Sequence, residues 1–304
     1  MIDNISSRVL LMCNVTNNCN QSCVHCVTNA RCGTIYNLKY EILDKLIDSL
    51  QCLSLDYMMT LVGGEVTAWP YFYQLLHCEK FKNIKYKMLY TNATNLNDEI
   101  IELIKEAGFY EVRVSIDSDR KEEHDDLRGH GTFDQTIKNV KLMLDSGIPI
   151  TSATVIKNNN VNRIDNMVAY LKALGIKIMH LIPLYFTGRG VAAKQYELKE
   201  DEKELFIKHL QINHSEILQK RHSKCVNGTA YFKIDCNGDC YIQKGRDKLL
   251  LGNLYNCDFI DLYNSSFEIN ALPVIECQCC PCYKSPILCE NMYSYCVADL
   301  QLCE

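Results

Sequence analysis

No apolar run in this 304-residue sequence approaches the roughly 18 residues that suggest a membrane-spanning helix. The opening stretch MIDNISSRVLLMCNVTNN has too short an apolar segment and the wrong flanks for a secretory signal. Basic runs are also missing: Lys and Arg are scattered, and the net charge is -5. Such a chain offers no electrostatic footprint for nucleic acid or for an anionic membrane. Internal repeats and low-complexity linkers are absent too. These absences point to a soluble, cytoplasmic protein. Hydrophobic residues make up 47% of the chain, enough for one large domain plus a small appendage.

What the sequence has in excess is cysteine, 18 in all. Cytoplasmic thiols stay reduced, so soft metal ligands for zinc or iron–sulfur clusters are a better reading than disulfides. Cys13, Cys19, Cys23, Cys26 and Cys32 lie near the start. Cys225, Cys236, Cys240, Cys257, Cys277, Cys279, Cys280, Cys282, Cys289, Cys296 and Cys303 crowd the last third. Cys13, Cys52 and Cys78 are expected to be small buried core residues.

Short β-branched runs at 8–13, 57–62, 84–90, 110–116, 149–156 and 177–184 read as buried parallel strands. Segments with helical periodicity separate them at 40–50, 97–107, 133–146 and 161–174. Gly108, Gly147 and Gly175 stand where helix C-caps are expected. This alternation predicts an α/β fold, a partial (β/α)6 TIM-like barrel, with chemistry at the carboxyl ends of the strands. The pattern breaks after a helix at about 200–220. Residues 1–220 therefore form the expected core domain, and 221–304 a small cysteine-rich iron–sulfur domain too thin to fold without a metal.

The loop after the first strand carries Cys19-Asn-Gln-Ser-Cys23-Val-His-Cys26. Three thiolates from one loop bind three irons of a cubane and leave the fourth open to another ligand. A zinc knuckle, completed by Cys13, Cys32 or His25, has the same spacing. Further motifs follow in order at the strand ends: Gly63-Gly64-Glu65, Thr91-Asn92, Ser115-Ile116-Asp117, His124-Asp125 and Arg128-Gly129. Paired glycines permit close backbone approach to a ligand, and a carboxylate pairs with an ammonium. GTFDQTIKNVKLMLDSGI at 131–148, TVIKNNN at 154–160 and Gly188-Arg189-Gly190 complete the series.

This ordered set resembles the radical S-adenosylmethionine (SAM) superfamily, and in particular its peptide-modifying branch. The resemblance implies that Cys19, Cys23 and Cys26 hold a [4Fe–4S] cluster that binds and cleaves SAM. It implies SAM contacts from Gly63, Gly64, Glu65, Asn92, Ser115, Asp117 and Arg128, with Glu65 toward the amino group and Ser115 and Arg128 toward the carboxylate. The C-terminal region resembles the SPASM extension, which holds one or two auxiliary [4Fe–4S] clusters. On that resemblance Cys225, Cys279, Cys282, Cys289, Cys296 and Cys303 are metal ligands. Gln243 stands where that pattern expects cysteine, and the later spacings are irregular. A structural zinc domain is the alternative there.

The activity so implied begins with reductive SAM cleavage to a 5′-deoxyadenosyl radical, which takes hydrogen from a substrate. An electron donor such as flavodoxin or ferredoxin is then a partner. Cys236 and Cys240, flanking a turn, are candidate catalytic thiols for hydrogen return. The substrate is expected to be a ribosomally made peptide gaining a thioether, a carbon–carbon link or an inverted centre. The alternative is a small polyol or amino-sugar undergoing dehydrogenation or epimerisation. About ten residues before the first strand leave no room for a leader-peptide recognition domain, which weighs against the peptide. A non-catalytic metal-binding module is the third reading, and the SAM-site motifs argue against it.

Overall fold

The computed structural model describes residues 8–54, 56–214, 229–244 and 247–268. The chain opens with strand β1 (Arg8–Asn14) and helix α1 (Tyr40–Cys52). Then come β2 (Asp56–Val62), short helices α2 (Phe72–Leu76) and α3 (Glu79–Lys82), β3 (Lys87–Thr91) and α4 (Asp98–Ala107). They are followed by β4 (Glu111–Ser115), α5 (Lys121–Arg128), α6 (Thr132–Asp145), β5 (Ile150–Ile156) and α7 (Ile164–Leu174). The remainder is β6 (Met179–Pro183), α8 (Glu200–Asn213), β7 (Thr229–Ile234), β8 (Asp239–Lys244), β9 (Asp247–Asn253) and α9 (Phe259–Glu268).

Among the described residues one sheet contains all nine strands, in the order β6-β5-β4-β3-β2-β1-β7-β8-β9. The first six run parallel and lie in sequence order. A doubly wound sheet would reverse direction at a switch point. Here there is no reversal, so every crossover helix is delivered to the same face, the topology of a barrel left open. The pleat sorts the side chains of β1. Val9, Leu11 and Cys13 join the main core, while Leu10 and Met12 pack with Met58 and Met88 in a second cluster.

Local sequence explains the helix boundaries. Asn97 accepts the Ile100 amide at 2.8 Å and caps α4, a contact typically worth about 1 kcal/mol. The same helix ends at Gly108, whose φ of 66° is left-handed. Gly147 and Gly175 likewise follow α6 and α7 with positive φ.

Three features depart from the sequence pattern. Helices α2, α3 and α5 are too short to show a 3.6-residue period. Cys52 is exposed and Cys78 only half-buried, so neither is a core residue; Cys13 is. Third, β7 does not begin a detached unit. It pairs in parallel with β1 from Arg8↔Thr229 to Cys13↔Ile234, so the β7–β9 strands continue the barrel sheet.

Candidate active site

The loop after β1 places Cys19, Cys23 and Cys26 at the carboxyl end of the parallel strands. All three are free thiols; Cys19 and Cys23 are buried and Cys26 is half-buried. Gln21 N donates to Cys19 Sγ at 3.3 Å and Ala30 N to Cys26 Sγ at 3.4 Å. Burial pushes the Cys19 thiol up to about 11 and raises Cys23 as well, where Arg128 opposes the rise. For Cys26 burial also works against the thiolate, but hydrogen bonds from Thr28 and Ala30 outweigh it and the pKa falls.

The donor set fits a cluster better than a single ion. Among the described residues, the three sulfurs do not lie within 4.8 Å of one another. Sulfurs about 2.3 Å from one tetrahedral zinc would be roughly 3.8 Å apart. Two of the three fourth ligands named for a zinc knuckle are placed elsewhere, while Cys32 Sγ lies 3.8 Å from Arg189 Nη1. Cys13 is sealed in the core. His25 points its Nε2 at Asp117 Oδ2, 3.3 Å away.

Two glycine-flanked loops hold the cysteine loop. The first is Gly63-Gly64-Glu65, after β2. Gly64 N donates to Thr16 O at 2.7 Å and Glu65 N to Asn18 O at 2.8 Å. A Cβ on Gly64 would sit 2.1 Å from Asn18 O, so here the glycine admits the neighbouring backbone. The second is Gly188-Arg189-Gly190, after β6. Arg189 Nε donates to Cys23 O at 2.8 Å, its Nη1 to Ala30 O at 2.6 Å, and its amide to Cys26 O at 2.9 Å. A Cβ on Gly188 would meet Cys26 O at 2.5 Å. Sequence reasoning gave this arginine no role; the signal was an arginine between two glycines at a strand end.

The expected SAM contacts gather around the same loop. Glu65 is buried and accepts from Thr67 N and Oγ1, from Thr91 Oγ1 at 2.7 Å and from Asn92 N at 2.7 Å. It thus ties the end of β2 to the end of β3. Asn92 Nδ2 reaches Asn20 Oδ1 at 2.8 Å, inside the cysteine motif. Ser115 is half-buried at the end of β4.

Asp117 and Arg128 form a buried pair, with Arg128 Nε on Asp117 Oδ2 at 2.7 Å. Burial alone would raise the Asp117 carboxyl, but Arg128, then His25, Lys157 and His124, hold it well below the usual carboxylate range. Arg128 Nη1 also lies 4.0 Å from Cys23 Sγ, linking this pair to the cysteine loop. Lys157, buried just after β5 and overlooked by sequence reasoning, is a second basic group facing Asp117, although burial lowers its pKa. Two buried basic groups facing one carboxylate are a setting in which a ligand carboxylate is well received.

The structure separates the two turn cysteines. Cys240 lies in the main hydrophobic core opposite Ile234, and burial pushes its thiol up to about 12. Cys236 follows β7 at the same end of the sheet as the cysteine loop and meets the Asn17 backbone. Cys225, Cys279, Cys282, Cys289, Cys296 and Cys303 lie outside the described residues.

A family model described as the Radical SAM superfamily matches residues 13–185. The chain belongs to that superfamily. It is 28% identical over 186 residues to the AdoMet-dependent heme synthase of Methanosarcina barkeri, covering 60% of this chain and 52% of the relative. It is 26% identical over 270 residues to the antilisterial bacteriocin subtilosin biosynthesis protein AlbA of Bacillus subtilis, covering 83% of this chain and 58% of AlbA. This radical SAM chain thus spans little more than half the length of the curated relatives it matches. Among solved structures, native anSMEcpe with bound AdoMet and the Cp18Cys peptide superposes with a TM-score of 0.68 at 21% identity, covering 91% of this chain and 87% of that one. That likeness establishes the shared fold, a partial barrel. The superfamily's cofactors are a [4Fe–4S] cluster and SAM, which the cysteine loop and the motifs around it fit. Among the described residues no helix is long and apolar enough to cross a membrane.

Proposed function

We propose that this protein is a radical SAM enzyme that modifies a ribosomally made peptide. The observation that carries the reading is the reach of the AlbA alignment. It covers 83% of the chain, and so must extend past residue 220 into the cysteine-rich end. The heme synthase match, at 60%, does not require this. AlbA is by its name a bacteriocin biosynthesis protein, and a peptide substrate follows for this chain by that likeness.

When bound, the cluster and SAM would together supply a 5′-deoxyadenosyl radical. Cys19, Cys23 and Cys26 hold the cluster. The Gly63–Glu65 and Gly188–Gly190 loops fix the cysteine loop from two sides. Glu65, Asn92, Ser115, Asp117 and Arg128 line the SAM side, and Lys157 adds a basic group there. Holding the reactants in register and excluding water is the protein's share of the work. Cys236, at the reactive end of the sheet, is better placed than Cys240 to return a hydrogen atom. One or two auxiliary clusters in 221–304 and a flavodoxin- or ferredoxin-like donor complete the proposal.

The test is anaerobic incubation with SAM, a reductant and a candidate precursor peptide, followed by mass spectrometry. 5′-Deoxyadenosine should form, and the peptide should lose hydrogen as a cross-link or take up solvent deuterium as an inverted centre. The Cys19→Ala/Cys23→Ala/Cys26→Ala variant should do neither. Deoxyadenosine formation with every peptide unchanged, and with a polyol or amino-sugar consumed, would move the assignment to the small-molecule alternative.

A further inference from the structure

Asp165 stands in the first turn of α7, His209 in the last turn of α8, and His214 directly after α8. Both imidazoles aim Nε2 at one carboxylate oxygen: His209 Nε2 is 2.7 Å and His214 Nε2 2.6 Å from Asp165 Oδ1. Among the described residues this is the only group of three or more His, Cys, Asp or Glu side chains whose ligand atoms all fall within 4.8 Å of one another. We propose that Asp165, His209 and His214 bind a divalent transition-metal ion, Zn2+ in the first instance, at a mononuclear site separate from the cysteine loop.

The donor chemistry selects the class of ion. Two imidazoles and a carboxylate, with no thiolate, suit Zn2+, Ni2+, Cu2+ or Fe2+ better than Ca2+ or Mg2+. Three protein ligands leave a tetrahedral ion one position for water. Metal bonds of about 2.0 Å would open the N–O separations to roughly 3.3 Å. That adjustment of roughly 0.6–0.7 Å is open to these side chains, since Asp165 is 59% and His209 39% exposed.

Asn213 Nδ2 lies 3.1 Å from both His209 Nδ1 and the His209 carbonyl oxygen, and so helps to fix the ring. The ion would then clamp the start of α7 to the end of α8.

Full-length, cluster-loaded protein should be dialysed anaerobically against Zn2+ and analysed for zinc and iron. Cysteine thiols that take zinc are common to all variants, so the difference between variants reports the triad. Wild type should hold one more zinc per chain than His209→Ala/His214→Ala at equal iron content. Affinity for that ion should fall about 100-fold or more in the variant. Zn2+ should raise the melting temperature of wild type more than that of the variant. Should the double variant lose iron, the near-isosteric Asp165→Asn replaces it in the same comparison. Equal zinc and an equal thermal response in wild type and variant mean that the three residues form an ion-pair cluster only, and the proposal fails.

Discussion

Arg189 Nε donates to the carbonyl oxygen of Cys23 at 2.8 Å, so a side chain from the loop after β6 holds the backbone of the cysteine loop after β1. With Nη1 on Ala30 O and the Arg189 amide on Cys26 O, the contact spans much of the cysteine motif. Arg189→Ala should therefore weaken cluster retention more than SAM recognition. Hydrogen bonds from a charged donor are typically worth roughly 1.5–3 kcal/mol, and Arg189 is half-buried, which favours the lower end. Arg189→Lys should rescue little, because an ammonium lacks the guanidinium fork. The check is iron per chain after anaerobic reconstitution. Wild-type iron in Arg189→Ala would show that the loop holds itself.

Gly64→Ala tests the other side of the same loop. The new Cβ would stand 2.1 Å from Asn18 O, a backbone atom that cannot swing away. The cost should reach about 3 kcal/mol, the upper range for overpacking, with loss of iron. Gly33→Ala is the control. It has φ +72° but nothing within 4 Å, so only the left-handed penalty of about 1–2 kcal/mol applies. Equal melting temperatures and iron contents for the two variants would refute the close-approach account.

The Asp117–Arg128 pair predicts an unusual ordering of variants. Asp117 has a fully buried side chain, and Arg128 is its nearest cation. Arg128→Ala removes the closest of the groups that hold this carboxylate and leaves it Lys157 and the His25 and His124 rings, so the loss should fall toward the lower end of the roughly 3–5 kcal/mol typical of a broken buried pair. Asp117→Asn in the same chain removes the stranded charge and should recover part of the loss. Denaturant unfolding of the two single variants and the double measures the coupling. SAM affinity should fall in Arg128→Ala and should not return in the double variant. Additive stability effects would mean that the pair is not coupled.

Much of this was legible in the sequence, and what was not has physical reasons. The six parallel strands announce themselves because each is a short, mostly apolar run that is largely buried. The cysteine loop is readable because its ligands are local. Arg189 and Lys157 escaped assignment because their partners lie far along the chain, at Cys23 and Asp117. Gly63 and Gly64 are expected from the sequence to admit a ligand, and in the structure the backbone of residues 16–18 lies against them. The junction at 221 marks a change of composition that the hydrogen bonding of β7 to β1 does not follow. Tertiary pairing of that kind leaves no periodic trace.

His124 supplies the acid limb of stability. Its ring is fully buried, and its Nδ1 takes the Asp117 amide at 3.3 Å, so the ring proton sits on Nε2. Burial, then the neighbouring Arg128, lowers its pKa to about 4. An unfolded histidine titrates near 6.5. Between those values the unfolded chain binds a proton that the folded chain refuses, so stability is fully present above about pH 6.5 and is lost as pH falls toward 4. At pH 5 the loss from this one residue should be on the order of 2 kcal/mol relative to pH 7. His124→Asn keeps an acceptor for the Asp117 amide and removes the titration. Denaturant unfolding of both proteins at pH 7 and pH 5 isolates the effect, since acid damage to an iron–sulfur cluster is shared and cancels in the difference. Wild type should lose about 2 kcal/mol more than the variant between the two conditions. An equal loss in both would mean that His124 accepts its proton in the folded state as readily as in the unfolded one.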